Sequence, residues 1–139
     1  MKHILTSVIL LLASTVFGQQ MTLDQWNKEA KTNMRLLPKY GHVQKTKEQK
    51  QADQEFIETA LKLGATKRKA SDDLISMGFK YLYRDIKTAM YRFNQAYLVD
   101  STNTDIYWGF GGVYMRLGDY ASAEKQYKEG LAINEIVSI

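Results

Sequence analysis

One pattern of large and small residues is written twice between Ser71 and Asn134. Leu74, Met77, Gly78, Tyr81, Ala89, Phe93 and Ala96 return as Tyr107, Phe110, Gly111, Tyr114, Ala123, Tyr127 and Gly130. Gly78 and Gly111 stand 33 residues apart, but Ala89 and Ala123 stand 34 apart, so the first copy is one residue shorter in its internal turn. A period of this size marks stacked supersecondary units, each unable to bury its apolar face alone. It points to an all-α chain of antiparallel helix pairs. A single proline, Pro38, agrees with that class better than with a sheet of many turns.

Spacing of apolar residues predicts the individual helices. Ser71 can cap the first repeat helix, with Asp72 and Asp73 in its first turn, although Lys67 to Lys69 leave a start one turn earlier open. That helix should run to about Tyr83, turn at Arg84-Asp85, and return as Ile86 to Val99. Thr104 to Arg116 and a partner capped by Asp119 follow, with Tyr120, Ala123, Tyr127 and Leu131 marking the buried face. Upstream, Thr22-Leu23-Asp24-Gln25 reads as a capping box opening a helix over 22–37, its stripe being Leu23, Trp26, Ala30, Met34 and Leu37. Pro38 closes it, and residues 39–47 read as a loop. Glu48 to Leu63 carries Ala52, Phe56, Ala60 and Leu63 on one face and ends at Gly64.

The first eighteen residues have another character. A basic start at Lys2 and His3, an apolar run from Ile4 to Phe17 and a small residue at Gly18 predict a signal peptide. The run is shorter than the roughly 20 residues of a bilayer span, so cleavage is favoured over anchoring. The expected address is periplasmic or secreted, with no stable membrane insertion of the mature chain. The expected division is a signal peptide over 1–18, N-terminal helices and a loop over 19–65, and two repeats over 71–103 and 104–135 within 66–139. With no cysteine, disulfides and thiolate chemistry are excluded. A net charge of +4 is mild; the lysines at 39, 45, 47 and 50 and the cluster Lys67-Arg68-Lys69 read as solvated faces rather than a nucleic-acid surface.

Tyr107-x-x-Phe110-Gly111-x-x-Tyr114 with Ala123-x-x-x-Tyr127, and Leu74-x-x-Met77-Gly78-x-x-Tyr81 with Ala89-x-x-x-Phe93, resemble the tetratricopeptide repeat. The resemblance covers residues 71–135, and departs from the family in the shortened first turn and in Ser101 and Glu135 where a proline usually ends each unit. It implies that Gly78, Tyr81, Ala89, Phe93, Gly111, Tyr114, Ala123 and Tyr127 pack the repeats. Two units are few to bury a continuous core, so the N-terminal helices are expected to add a layer as a degenerate hairpin.

The resemblance also implies a groove lined by the first helix of each unit: Ile75, Phe79, Leu82 and Tyr83, then Asp105, Trp108, Met115 and Arg116, with Asp72, Ser76, Gly109 and Gly112 beside them. Such a surface binds a peptide or partner helix, which makes the chain a scaffold or adaptor. Arg116 alone is of the kind that clamps a terminal carboxylate. Two readings stay open: an N-terminal helix lies in the groove and makes it core, or the groove is free. Ile136, Val137 and Ile139 end the chain in apolar side chains that either pack back on the last unit or support a homo-oligomer. Neither a cofactor nor a metal is expected, and binding is favoured over catalysis, the alternative of a different class being an enzyme with an unrecognised site near His42 and Tyr40. His42 stands in a loop beside Tyr40, without a second histidine in the mature chain, and Gly109-x-Gly111-Gly112 lies inside a helix rather than after a strand.

Overall fold

The computed structural model describes residues 20–62 and 65–138. The signal peptide, the helix end at Leu63 and Gly64, and Ile139 fall outside them. Among the described residues the fold is all-α, with helices α1 (Leu23–Ala30), α2 (Lys47–Leu61), α3 (Lys67–Tyr81), α4 (Ile86–Val99), α5 (Ile106–Leu117) and α6 (Tyr120–Val137), and no strand. α3 packs along α4 and α5 along α6, while α4 against α5 joins the two hairpins.

The doubled pattern becomes a doubled geometry. A Cβ built on Gly78 would overlap the Phe93 ring, and one built on Gly111 would overlap the Tyr127 ring. In each hairpin, then, an aromatic side chain of the second helix lies against the bare backbone of the first. Phe93 also meets Gly109 from the other side, which ties α4 to both α3 and α5. The helix starts match as well. Asp85 accepts from the Thr88 amide and hydroxyl, and Asp119 accepts from the Ser122 amide and hydroxyl, so the orphan N–H groups of α4 and α6 are satisfied alike. Only the turns differ. Gly118 adopts a left-handed φ of 77°, whereas α3 ends on Leu82 in right-handed geometry and the Arg84 and Asp85 amides donate to the Tyr81 carbonyl. That tighter turn is where the missing residue went.

Several boundaries moved. α3 begins at Lys67, capped by the Thr66 hydroxyl. Ser71 is therefore no cap. It is buried, donating to the Ala96 carbonyl and accepting from Asn103, a tertiary use that displaces the local one. Asp72 and Asp73 lie inside the helix, Asp72 accepting from Asn103 and Asp73 pairing with Lys69. Tyr83 lies beyond the end of α3, and α5 starts at Ile106 rather than Thr104.

The N-terminal segment departs most from expectation. The Thr22–Gln25 capping box is present, but α1 stops at Ala30. Asn33 then caps a 3-10 turn over Met34–Leu36, and Asn94 Nδ2 donates to the carbonyls of Arg35 and Leu37 at 2.9 Å each. The break rotates Leu36, rather than Leu37, into the core. Leu37 is extended before Pro38 as anticipated. α1 and α2 do not form a hairpin with each other: the turns between them lie on α4, α2 touches α4 and α3, and Glu29 of α1 pairs with Lys87. A second capping box, Thr46 with Gln49, starts α2.

Residues 39–47 are less featureless than a loop. Lys39, Tyr40, Gly41 and His42 have φ of 55°, 56°, 63° and 54°, a run of left-handed residues of which only one is glycine. Left-handed geometry costs a residue with a Cβ roughly 1–2 kcal/mol, so such a run persists only where its side chains are held. Lys39 pairs with Glu129 of α6 and lies 5.2 Å over the Tyr107 ring, while the Tyr40 ring sits 3.6 Å beneath the Lys45 ammonium. At the other end of the chain, α6 runs on to Val137 and leaves Ile136 and Val137 exposed. Ile136 and Val137 do not pack back, and Tyr120 and Leu131 are exposed too because α6 buries only its Ala123, Gln126 and Gly130 side.

Two carboxyls make the fold sensitive to acid. Thr88 hydrogen bonds hold Asp85 below its usual 3.8. At Asp100 burial acts upward, but hydrogen bonds from Thr102 and Arg68 outweigh it and the net shift is again downward. A carboxyl with a lower pKa folded than unfolded adds stability above its unfolded value and loses it as pH falls through its folded value. The thermal midpoint followed by circular dichroism should be level above about pH 5 and drop below about pH 4. Asp85→Asn, which keeps a cap, should make the drop shallower; a midpoint flat down to about pH 2 would contradict this assignment.

Candidate functional site

The face shared by α3 and α5 has a buried floor and an exposed rim. Ile75 and Leu82 are 8% and 7% exposed and form the floor, so these two candidate groove residues support the surface more than they offer it. Phe79, Tyr83, Trp108 and Met115 accompany them, 43%, 73%, 49% and 47% exposed, three large side chains on α3 and α5 and one in the turn after α3. Two of the rings are held from below. Phe79 meets Phe93 edge-on at 5.2 Å between centroids, and Trp108 lies tilted on Tyr127 at 5.1 Å. Exposed aromatics fixed in this way present area with little rotamer freedom left to lose on binding.

Glycine shapes the space between the rims. Gly112 has no Cβ to fill the gap beside Leu82 and Phe79, and one built there would make only ordinary contacts of 3.5 and 3.8 Å with them. A shallow depression results. The charged groups lie towards its ends. Arg116 stacks over the Tyr83 ring at 4.4 Å, and its Nε is buried with no hydrogen-bond partner among the described residues. Asp105 is exposed before the first turn of α5 and makes no side-chain cap. Asp72 and Ser76 are exposed along α3, and Gly109 is closed off under Phe93.

The open question about this groove has an answer in the fold. The turns between the N-terminal helices lie on α4, α2 touches α4 and α3, Lys39 reaches α6, and Gln20 donates to the Arg116 carbonyl of α5, while Phe79, Tyr83, Trp108 and Met115 on the rim stay exposed. Of the eight packing residues, Gly78, Ala89, Phe93, Gly111, Tyr114 and Ala123 are buried, whereas Tyr81 and Tyr127 are half-buried. Burial, with Asp119 adding to it, pushes the Tyr114 phenol up to about 12, and burial raises Tyr127 as well.

Much of the basic surface is paired. Lys39 bonds to Glu129, Lys45 to Asp53, Arg68 to Asp100 and Lys69 to Asp73. His42 is exposed in the left-handed turn. Among the described residues no group of three His, Asp or Glu side chains is placed to hold a metal ion, and no helix is long and apolar enough to cross a membrane. No family model, curated protein or solved structure matches the chain.

Proposed function

We propose that the chain is a tetratricopeptide-like binding module, secreted or periplasmic, that takes a peptide or partner helix on its α3/α5 face as a scaffold or adaptor. The observation that carries this reading is the set of four exposed side chains, Phe79, Tyr83, Trp108 and Met115, over the buried pair Ile75 and Leu82. A contiguous apolar patch rimmed by polar groups is rare on a protein with no partner. Side chains at helical spacing on two helices suit an amphipathic segment with anchors one turn apart. The function needs no reaction and no cofactor.

Selection of binding peptides from a random display library against the chain, followed by affinity measurement, tests it. Phe79→Gln with Trp108→Gln should weaken the selected peptides by at least about tenfold, since buried aromatic anchors dominate such interfaces. The helical circular dichroism should stay. Tyr83→Ala with Met115→Ala, at more exposed positions, is the companion variant should the first pair unfold. Equal binding by folded variants would refute the reading. A second reading, a self-associating envelope component, is favoured by Leu131, Ile136 and Val137, which are 49%, 74% and 80% exposed on α6. Light scattering on the same samples separates the two: a dimer that survives the groove changes and disappears on trimming residues 136–139 would move the function to the tail.

A further inference from the structure

A second concavity lies on the opposite side of α4 from the hairpin contacts, where α2 and the left-handed turn close over it. Its volume is about 240 Å³. The apolar part of its wall is Met34, Ala52, Phe56 and Leu98, and the polar part includes Arg35, Tyr40, Lys45 and Tyr91. The charges on the wall do not balance. Lys45 is neutralised by Asp53, which also lines the cavity, but Arg35 has no carboxylate within ion-pair distance among the described residues. Its guanidinium carbon instead lies 3.7 Å over the Tyr91 ring, and Tyr91 is itself fixed by a hydrogen bond that its hydroxyl accepts from Asn33. A stacked guanidinium keeps its N–H edge available in plane, the arrangement that suits a carboxylate.

Donors outnumber acceptors elsewhere on the wall. Gln49 and Gln95 also line the space, and each has its carbonyl oxygen engaged, the first by the Thr46 amide and the second by Arg92, so what each has left to offer is its NH₂ group. Burial, with Asp53 adding to it, pushes the Tyr40 phenol up to about 12, so it remains an O–H donor at neutral pH. Tyr40 is placed there by the left-handed backbone, which lies outside both repeats. Size narrows the occupant. An apolar cavity of about 150 Å³ holds benzene, so this space admits a ring of that size carrying a short acidic chain.

We propose that the cavity between α2, the left-handed turn and α4 binds a small carboxylic acid with an apolar body, its carboxylate on Arg35 and its body between Phe56, Met34 and Leu98. The same chemistry is offered by a free arylalkanoic acid and by the C-terminal phenylalanine of a peptide.

Titration of the full chain with 3-phenylpropionate, followed by calorimetry and by amide chemical shifts, tests the proposal. Saturable binding is expected, with shifts centred on Tyr40, Phe56 and Tyr91. The uncharged 3-phenylpropionamide should bind at least about tenfold more weakly, as should 3-phenylpropionate to Arg35→Gln, because each removes one side of a charge-assisted pair. Arg35 is exposed, so its replacement is not expected to unfold the chain, and an unchanged thermal midpoint checks that. The Phe79→Gln/Trp108→Gln variant should bind the acid normally, which keeps this site separate from the α3/α5 face. A tripeptide ending in free phenylalanine that competes with the acid would assign the site to chain termini, and its failure to compete would assign it to free acids. Absence of saturable binding up to about 10 mM, a Kd beyond the millimolar range of weak recognition, would overturn the proposal. So would an amide that binds as well as the acid, or shifts confined to α3 and α5.

Discussion

Alanine in place of Phe93 is expected to lower the free energy of unfolding by about 3–5 kcal/mol, the range for emptying a buried aromatic site. That is a large share of the roughly 5–15 kcal/mol that holds a domain of this kind together. Three observations put the effect at the upper end. Phe93 is fully buried, its ring fills the space left by Gly78 and Gly109 on two different helices, and Phe79 rests edge-on against it. Neither glycine has a side chain that can swing into the void, so collapse would require whole helices to move. The equivalent change, Tyr127→Ala, should cost less, because Tyr127 is only half-buried. Chemical denaturation of both variants reads the difference, and a loss below about 2 kcal/mol for Phe93→Ala would show that the hairpins can close around the gap.

The glycines give the second large effect, and its sign should depend on position. Alanine is favoured over glycine in a helix interior by about 1 kcal/mol, while forcing an extra methyl into a packed core costs about 1–3 kcal/mol or more. At Gly78 the added Cβ would meet a Phe93 ring already wedged against Gly109, so overpacking wins and Gly78→Ala should destabilise by about 2 kcal/mol. At Gly112 the nearest atoms are 3.5 and 3.8 Å away, so helix propensity wins and Gly112→Ala should stabilise by up to about 1 kcal/mol. Gly111→Ala should fall between them, because the ring it displaces, Tyr127, is half-exposed and has solvent to move into. Coupling supplies a further check: Phe93→Leu combined with Gly78→Ala should cost less than the two single changes added together. Equal effects at all three glycines would contradict the packing described.

The hairpins were legible because their information is local in type and repeated in register. Gly78 with Phe93 and Gly111 with Tyr127 can be read as small-against-large pairs before any coordinates exist, and the structure places each pair in contact. The groove positions were expected only through the tetratricopeptide resemblance, and of them Phe79 and Trp108 are exposed while Ile75 and Leu82 are buried. Whether the groove is covered was not legible, because it depends on contacts from a different part of the chain. Helix α1 ends at Ala30, the turn that follows is held by Asn94 through the Arg35 and Leu37 carbonyls, 59 and 57 positions away, and Leu36 takes the place expected for Leu37. The left-handed run at Lys39, Tyr40 and His42 had no sequence signal beyond Gly41, since its partners are Glu129 and Lys45. Arg35 was passed over for the same reason: off the apolar stripe of a supposed continuous helix it reads as solvent-facing, and only the break at Thr32 and Asn33 lays it on Tyr91.

The Lys39 link has a consequence for how the molecule comes apart. In a linear array each unit touches only its neighbours, so opening can begin at either end and spread inward. Here the segment before α2 is fastened to α4 through Asn33 and Asn94 and to the last helix through Lys39 and Glu129, which closes the array into a loop of contacts. Fraying of α6 must release that clasp and relax the left-handed backbone behind it. The two hairpins are thereby linked by a contact outside the α4/α5 interface, so loosening the middle of α6 also loosens the segment that lies on α4.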